Sequence, residues 1–218
     1  MGRAHADCPA QRPPAYCAAM ALPARDERTD EALMLAYGAG DAGAFDTLYR
    51  RHRGGVYRYL ARQCTSAGTA EELFQDVWMS VVRVRASWRP TARFTTWLYT
   101  LARHRLVDHW RSAGLVHLVA LDDEDGDAGG VADTLAGPRT DRPDVQSESR
   151  EIAARLRAAL AALPPAQRDA VLLQQEGGLS LDEIASVTGA GMETVKSRLR
   201  YAMARLRSAL ADWQENVA

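Results

Sequence analysis

Residues 179–206 read LSLDEIASVTGAGMETVKSRLRYAMARL. Ser180, followed three residues later by Glu183, makes a capping box, in which each side chain satisfies a backbone N–H at the start of a helix. Leu181, Ile184, Ala185 and Val187 then recur at helical positions, and TGAG at 188–191 supplies a tight turn containing glycine. A second helix begins near Met192. Two short helices joined in this way form a helix-turn-helix, whose second helix lies in the major groove of DNA. In that second helix Val195, Leu199, Ala202 and Leu206 make a single stripe for burial. The remaining surface carries Glu193, Lys196, Ser197, Arg198, Arg200, Tyr201 and Ala204. Lys196, Ser197, Arg198, Arg200 and Tyr201 are the candidate contacts to base edges and phosphates. Lys196 is also the single lysine of the sequence: every other residue among the 27 Lys and Arg is arginine.

Working outward, the chain has 218 residues, 47% of them hydrophobic and 25% charged, with a formal net charge of −1. That composition suits a globular protein, and the charge is informative through its distribution rather than its sum. No apolar run approaches the length of a membrane span, and the N-terminal segment lacks the apolar core of a signal peptide. A cytoplasmic location is the expectation. Residues 1–28, rich in Pro, Ala and Arg, read as a disordered tail, within which Met20 is a second candidate start. The three cysteines, Cys8, Cys17 and Cys64, are an odd number, which argues against a disulfide framework in a cytoplasmic chain, and the spacing of His5, Cys8 and Cys17 matches no standard zinc signature. Residues 121–144 hold eight acidic residues against Arg139 and Arg142, with no apolar periodicity, and read as an acidic flexible linker.

Helical patterning occupies both sides of that linker. Before it, the pattern runs from Asp30 to about Ala113. Residues 41–62 place Phe45, Leu48, Tyr49, Val56 and Leu60 at helical spacing, with Gly54 and Gly55 as a weak point. Residues 69–86, TAEELFQDVWMSVVRVRA, form a further helix that Thr69 and Glu72 are placed to cap. Its core stripe is Leu73, Phe74, Val77, Val81 and Val84. Its far side also carries apolar groups, Met79 and Val82, beside Gln75, with Glu71, Glu72, Asp76 and Trp78 around them. A helix apolar on two sides must cover both, which implies a protein partner.

Residues 94–111, FTTWLYTLARHRLVDHWR, form the next helix. Between 83 and 111 seven arginines face only Asp108, interleaved with Trp88, Phe94, Trp97, Tyr99 and Trp110. Arginine follows phosphates and aromatic rings stack on unpaired bases, so the segment fits single-stranded nucleic acid, with Trp97 and Trp110 the better candidates for packing. After the linker, Ile152, Leu156, Leu160 and Leu163 make an amphipathic helix. Pro164 and Pro165 end it and open the next, which stops at a Gly pair. No strand pattern appears. The expected fold is all-α: a tail (1–28), an N-terminal helical domain (29–115), the linker (116–146) and a C-terminal domain (147–214).

These residues resemble the extracytoplasmic-function sigma factors of bacterial RNA polymerase. AEELFQDVWMSVV is similar to their polymerase-binding helix and FTTWLYTLARHRLVDHWR to their promoter-melting helix. LPPAQRDAVLLQQEGGLSLDEIASVTGAGMETVKSRL is similar to their C-terminal DNA-binding domain. The resemblance covers roughly 30–115 and 147–212. It implies a sigma factor directing promoter-specific transcription initiation. Glu72, Gln75, Asp76 and Met79 would face the β′ clamp helices of core RNA polymerase. Trp88, Arg93, Phe94, Arg103, His104 and Arg105 would handle the minus-ten element, with capture of a flipped base near Trp88–Phe94. The C-terminal domain would read the minus-thirty-five element and touch the β flap, and an anti-sigma factor would hold the protein inactive. The chain departs from the family at His104, where Asn is common, and at Glu193, where Gly is usual. Tyr201 and Met203 also stand where arginine is frequent. A non-standard minus-thirty-five preference is therefore expected.

The alternative reading is a helix-turn-helix regulator that binds duplex DNA without polymerase. The segment at 88–111 argues against it, since such a regulator has no use for arginines interleaved with aromatics. An enzyme is the third reading. His104, Asp108 and His109 share a helix, but no nucleophile or metal motif accompanies them, and no catalytic residue, cofactor or metal is expected.

Overall fold

The computed structural model describes residues 26–114 and 145–217, the side chains of 145–149 and 212–217 excepted. Most of the expected tail and nearly all of the linker, with Cys8 and Cys17, lie outside the described residues. The elements are α1 (Asp30–Gly38), α2 (Ala42–Ala61), α3 (Ala67–Val84), α4 (Phe94–Ser112), α5 (Val145–Ala161), α6 (Pro165–Gly177), α7 (Leu181–Thr188) and α8 (Met192–Val217). No strand occurs among the described residues.

Local chemistry accounts for most boundaries. Thr29 and Asp41 cap α1 and α2 through their side-chain oxygens. The helix expected from Thr69 begins earlier: Ser66 is its N-cap and accepts from the Thr69 N–H, so Thr69 lies inside α3. Pro165 opens α6, and Gly178 ends it in the left-handed conformation at φ 61°. The Ser180–Glu183 capping box is present in both directions at the start of α7, and Gly189 closes that helix at φ 75°. Gly54 and Gly55 do not interrupt α2, which runs unbroken through them.

Helices α1 to α4 enclose an N-terminal core containing Leu33, Leu48, Val56, Leu60, Val77, Phe94, Leu98 and Leu106. Helices α5 to α8 continue the same buried cluster with Leu160, Leu172, Leu173, Ile184, Val195 and Ala202. The two helical groups also pack on each other: α2 and α4 lie against α6, and α4 lies against α7.

Candidate nucleic-acid interface

The second helix of the helix-turn-helix begins at Met192, right after the TGAG turn. Val195, Leu199, Ala202 and Leu206 are buried as their spacing requires. Glu193, Lys196, Arg200 and Tyr201 are exposed and Ser197 is half-buried, so these five can be reached from outside. Arg198 is not with them. It is 8% exposed, because its position adjoins the buried stripe next to Leu199. Periodicity alone places Arg198 at the edge of the exposed face, but its side chain is buried. Lys196 is held by Glu193, with Nζ 2.7 Å from the carboxylate. Arg200 lies against the Tyr201 ring.

On α3, Glu72, Gln75, Asp76 and Met79 are all exposed and occupy one face at spacings of three and four. Met79 is 51% exposed in the middle of them. Trp78, expected near this face, turns instead into the core, where its ring meets Phe45 and Tyr49 edge-on. Val82 is half-buried, so Met79 is the apolar centre of a polar rim.

The six minus-ten candidates separate into three groups. Trp88 is 6% exposed and Phe94 fully buried, and their rings pack on one another and on Trp97. These rings are core: the aromatic-rich segment is built mostly to support the start of α4 rather than to present free faces for stacking. The α4 N-terminus has no side-chain cap of its own, and Glu31 of α1 accepts from the Phe94 N–H at 2.8 Å. Arg105 reaches sideways to Ser80 of α3 at 3.0 Å and His104 is exposed. Arg93 and Arg103 are engaged by carboxylates from the C-terminal helices.

That engagement is a connected polar seam. Asp169 of α6 is 6% exposed and accepts from Tyr59 Oη at 2.8 Å, Gln63 Nε2 at 3.1 Å and Arg103 Nε at 2.9 Å. Burial, with the Asp169 carboxylate adding to it, raises the Tyr59 pKa well above its ordinary value, so the phenol remains a donor. Glu176 at the end of α6 takes Arg58 at 2.7 Å and also Arg62, while its carbonyl accepts from Tyr99 Oη at 2.7 Å. Glu183 accepts from Thr96 Oγ1 at 2.6 Å and lies 3.3 Å from Arg93. Burial opposes the Glu183 charge, but hydrogen bonds from Thr96 and Ser180 outweigh it and hold the pKa below its ordinary value.

Gly55 makes the close approach possible. A Cβ there would lie 2.7 Å from Tyr99 Oη and 2.8 Å from the Glu176 carbonyl oxygen. The sequence marks Arg93 and Arg103 as nucleic-acid candidates, Tyr99 as one of the interleaved aromatics and Glu183 as a capping residue, but nothing in it signals that they pair with one another or with Tyr59, Asp169 and Glu176. Their partners are about a hundred residues away in the chain.

Similarities of three kinds, to family descriptions, to relatives in sequence and to solved structures, bear on this arrangement. The family description Sigma-70 region 2 matches residues 48–115, and Sigma-70, region 4 matches residues 153–206. The chain is 32% identical over 194 residues to the ECF RNA polymerase sigma factor SigM of Mycobacterium tuberculosis, covering 89% of this chain and 91% of that one. It is 31% identical to the RNA polymerase sigma factor CarQ of Myxococcus xanthus, covering 82% of this chain and 96% of the other. In fold it is similar to CnrH, solved in complex with the cytosolic domain of CnrY, at a TM-score of 0.58 and 21% identity over 84% of this chain and 97% of that one. It is also similar to the sigma factor RpoE solved with the anti-sigma factor NepR from Bartonella quintana, at a TM-score of 0.55 and 22% identity, covering 77% and 96%. Two matched regions in the right order, on helices that place a polar face at α3 and a helix-turn-helix at α7–α8, identify the chain as a member of the extracytoplasmic-function sigma factors.

Proposed function

We propose that this sigma factor binds core RNA polymerase through the α3 face around Met79 and directs initiation at promoters whose upstream element is read by α8. The observation that carries the reading is the pairing of two separate exposed surfaces. One is an apolar residue ringed by Glu72, Gln75 and Asp76 on α3; the other is a basic and polar stripe on a helix-turn-helix. A regulator acting on duplex DNA alone needs only the second. The minus-ten function falls to Arg93, Arg103 and His104 with the loop before α4, while Trp88 and Phe94 act as its rigid floor. Because Arg103 is tied to Asp169 and its side chain is only 13% exposed, α6 must move off α4 before that arginine meets DNA, whereas Arg93, 62% exposed beside Glu183, is already open to it.

An anti-sigma factor is the proposed inhibitor. It would act on this closed arrangement, as the complex of the similarly folded sigma factor RpoE with the anti-sigma factor NepR suggests. Run-off transcription with core polymerase on genomic fragments tests the proposal. Promoter-specific transcripts that require this protein are expected. DNA binding with no polymerase-dependent transcript would favour the polymerase-independent regulator.

A further inference from the structure

The Glu193 side chain is 87% exposed and Lys196 46% exposed, and together they form an ion pair one turn into α8. They share the exposed stripe with Arg200, since positions 193, 196 and 200 follow one another at spacings of three and four. An isolated pair of this kind contributes little to stability. Its effect on recognition is different. Glu193 neutralises the charge that would otherwise draw Lys196 to a phosphate, and it holds the ammonium beside a carboxylate on the side that faces outward. The stripe therefore begins with an acceptor and a donor side by side, with no net charge.

We propose that Glu193 and Lys196 act as one specificity-determining unit that reads a C·G base pair in the upstream promoter element. Glu193 accepts from the exocyclic amine of the cytosine and Lys196 donates to O6 and N7 of the guanine. The major groove offers this donor–acceptor pattern at C·G pairs, and carboxylate-to-cytosine and lysine-to-guanine are the pairings that fit it. Arginine at 196 would impose a planar fork that competes for both carboxylate oxygens, whereas lysine leaves one oxygen free. The inference rests on α8 lying in the major groove.

The test selects duplexes randomised across the upstream element, using the holoenzyme formed from core polymerase and the full chain. Wild type, Glu193→Gln, Lys196→Ala and Arg200→Ala are compared. Wild type is expected to enrich a C·G pair at one position. Glu193→Gln should move that position toward adenine, which a glutamine amide recognises, with about a ten- to hundredfold change in discrimination and no change at other positions. Lys196→Ala should relax the same position. Uniformly tighter binding of Glu193→Gln to every sequence would overturn the proposal, because the carboxylate would then only repel phosphate. If Arg200→Ala alters the selected sequence while both other variants leave it unchanged, the groove placement stands and the paired reader fails. If none of the three alters it, the groove placement itself fails.

Discussion

Arg200 stands clear of the protein body, its guanidinium carbon 5.0 Å from the centre of the Tyr201 ring. The ring limits the side-chain positions available and so prepares a planar donor fork for a base edge. Arg200→Ala is expected to weaken holoenzyme binding to the cognate promoter by about 1–3 kcal/mol, with a penalty that depends on sequence. Equal losses on all duplexes, measured by titration of several promoters, would show a phosphate contact instead. Arg198, two positions earlier, is buried. Its truncation belongs with core substitutions, and its effect should appear in thermal melting rather than in promoter choice.

Helix α3 carries two different surfaces on its eighteen residues. Leu73, Val77, Trp78 and Val81 are buried inward, while Met79 projects outward at the centre of Glu72, Gln75 and Asp76. Met79→Asp places a charge where a partner must bury surface without leaving an unpaired carboxylate. Association with core polymerase is expected to fall by about 2 kcal/mol or more. Because the side chain is 51% exposed and not among the buried core residues, unfolding stability should stay within about 0.5 kcal/mol. Unchanged co-purification with polymerase would remove this face from the interface. Apart from Trp78, the surfaces of α3 were legible in its sequence because period and polarity agree along it. The role of the aromatics in and before α4 was legible only in part. Stacking on bases and packing in a core call for the same rings, and only the neighbours of Trp88 and Phe94 decide between them.

Across the whole molecule, the seam at Asp169, Glu176 and Glu183 joins two helical groups whose buried apolar residues form one continuous cluster. Gly55→Ala separates the two levels. Alanine favours the interior of α2 by about 0.5–1 kcal/mol, yet its Cβ would meet the Glu176 carbonyl oxygen at 2.8 Å. The variant is expected to keep its helical circular dichroism while its radius of gyration by small-angle scattering rises. An unchanged radius would mean that the seam tolerates the added carbon.

The seam also responds to pH. The Glu183 carboxylate has its pKa depressed from the ordinary 4.5, burial being outweighed by the hydroxyl and backbone bonds it accepts. A depressed carboxylate contributes to folding stability above its unfolded pKa, and that contribution is lost as pH falls through the lower folded value. The thermal melting temperature should therefore drop as pH falls below about 4.5, and Glu183→Gln should flatten that part of the response.

The order of helices, the capping box at Ser180 and Glu183, the left-handed glycine after α7 and the inward stripe of α8 were determined by the sequence itself. Each depends on residues within a turn or two of one another, where spacing and side-chain chemistry act directly. The membership of the polar seam, the inward turn of Arg198 and Trp78, and the need for glycine at 55 were decided by tertiary structure. They depend on which surfaces meet between residues far apart in the chain, from 66 to 118 positions in the seam. Asp169 illustrates the reason: it is one acidic residue among many in the sequence, and its function arises only where Tyr59, Gln63 and Arg103 converge on it.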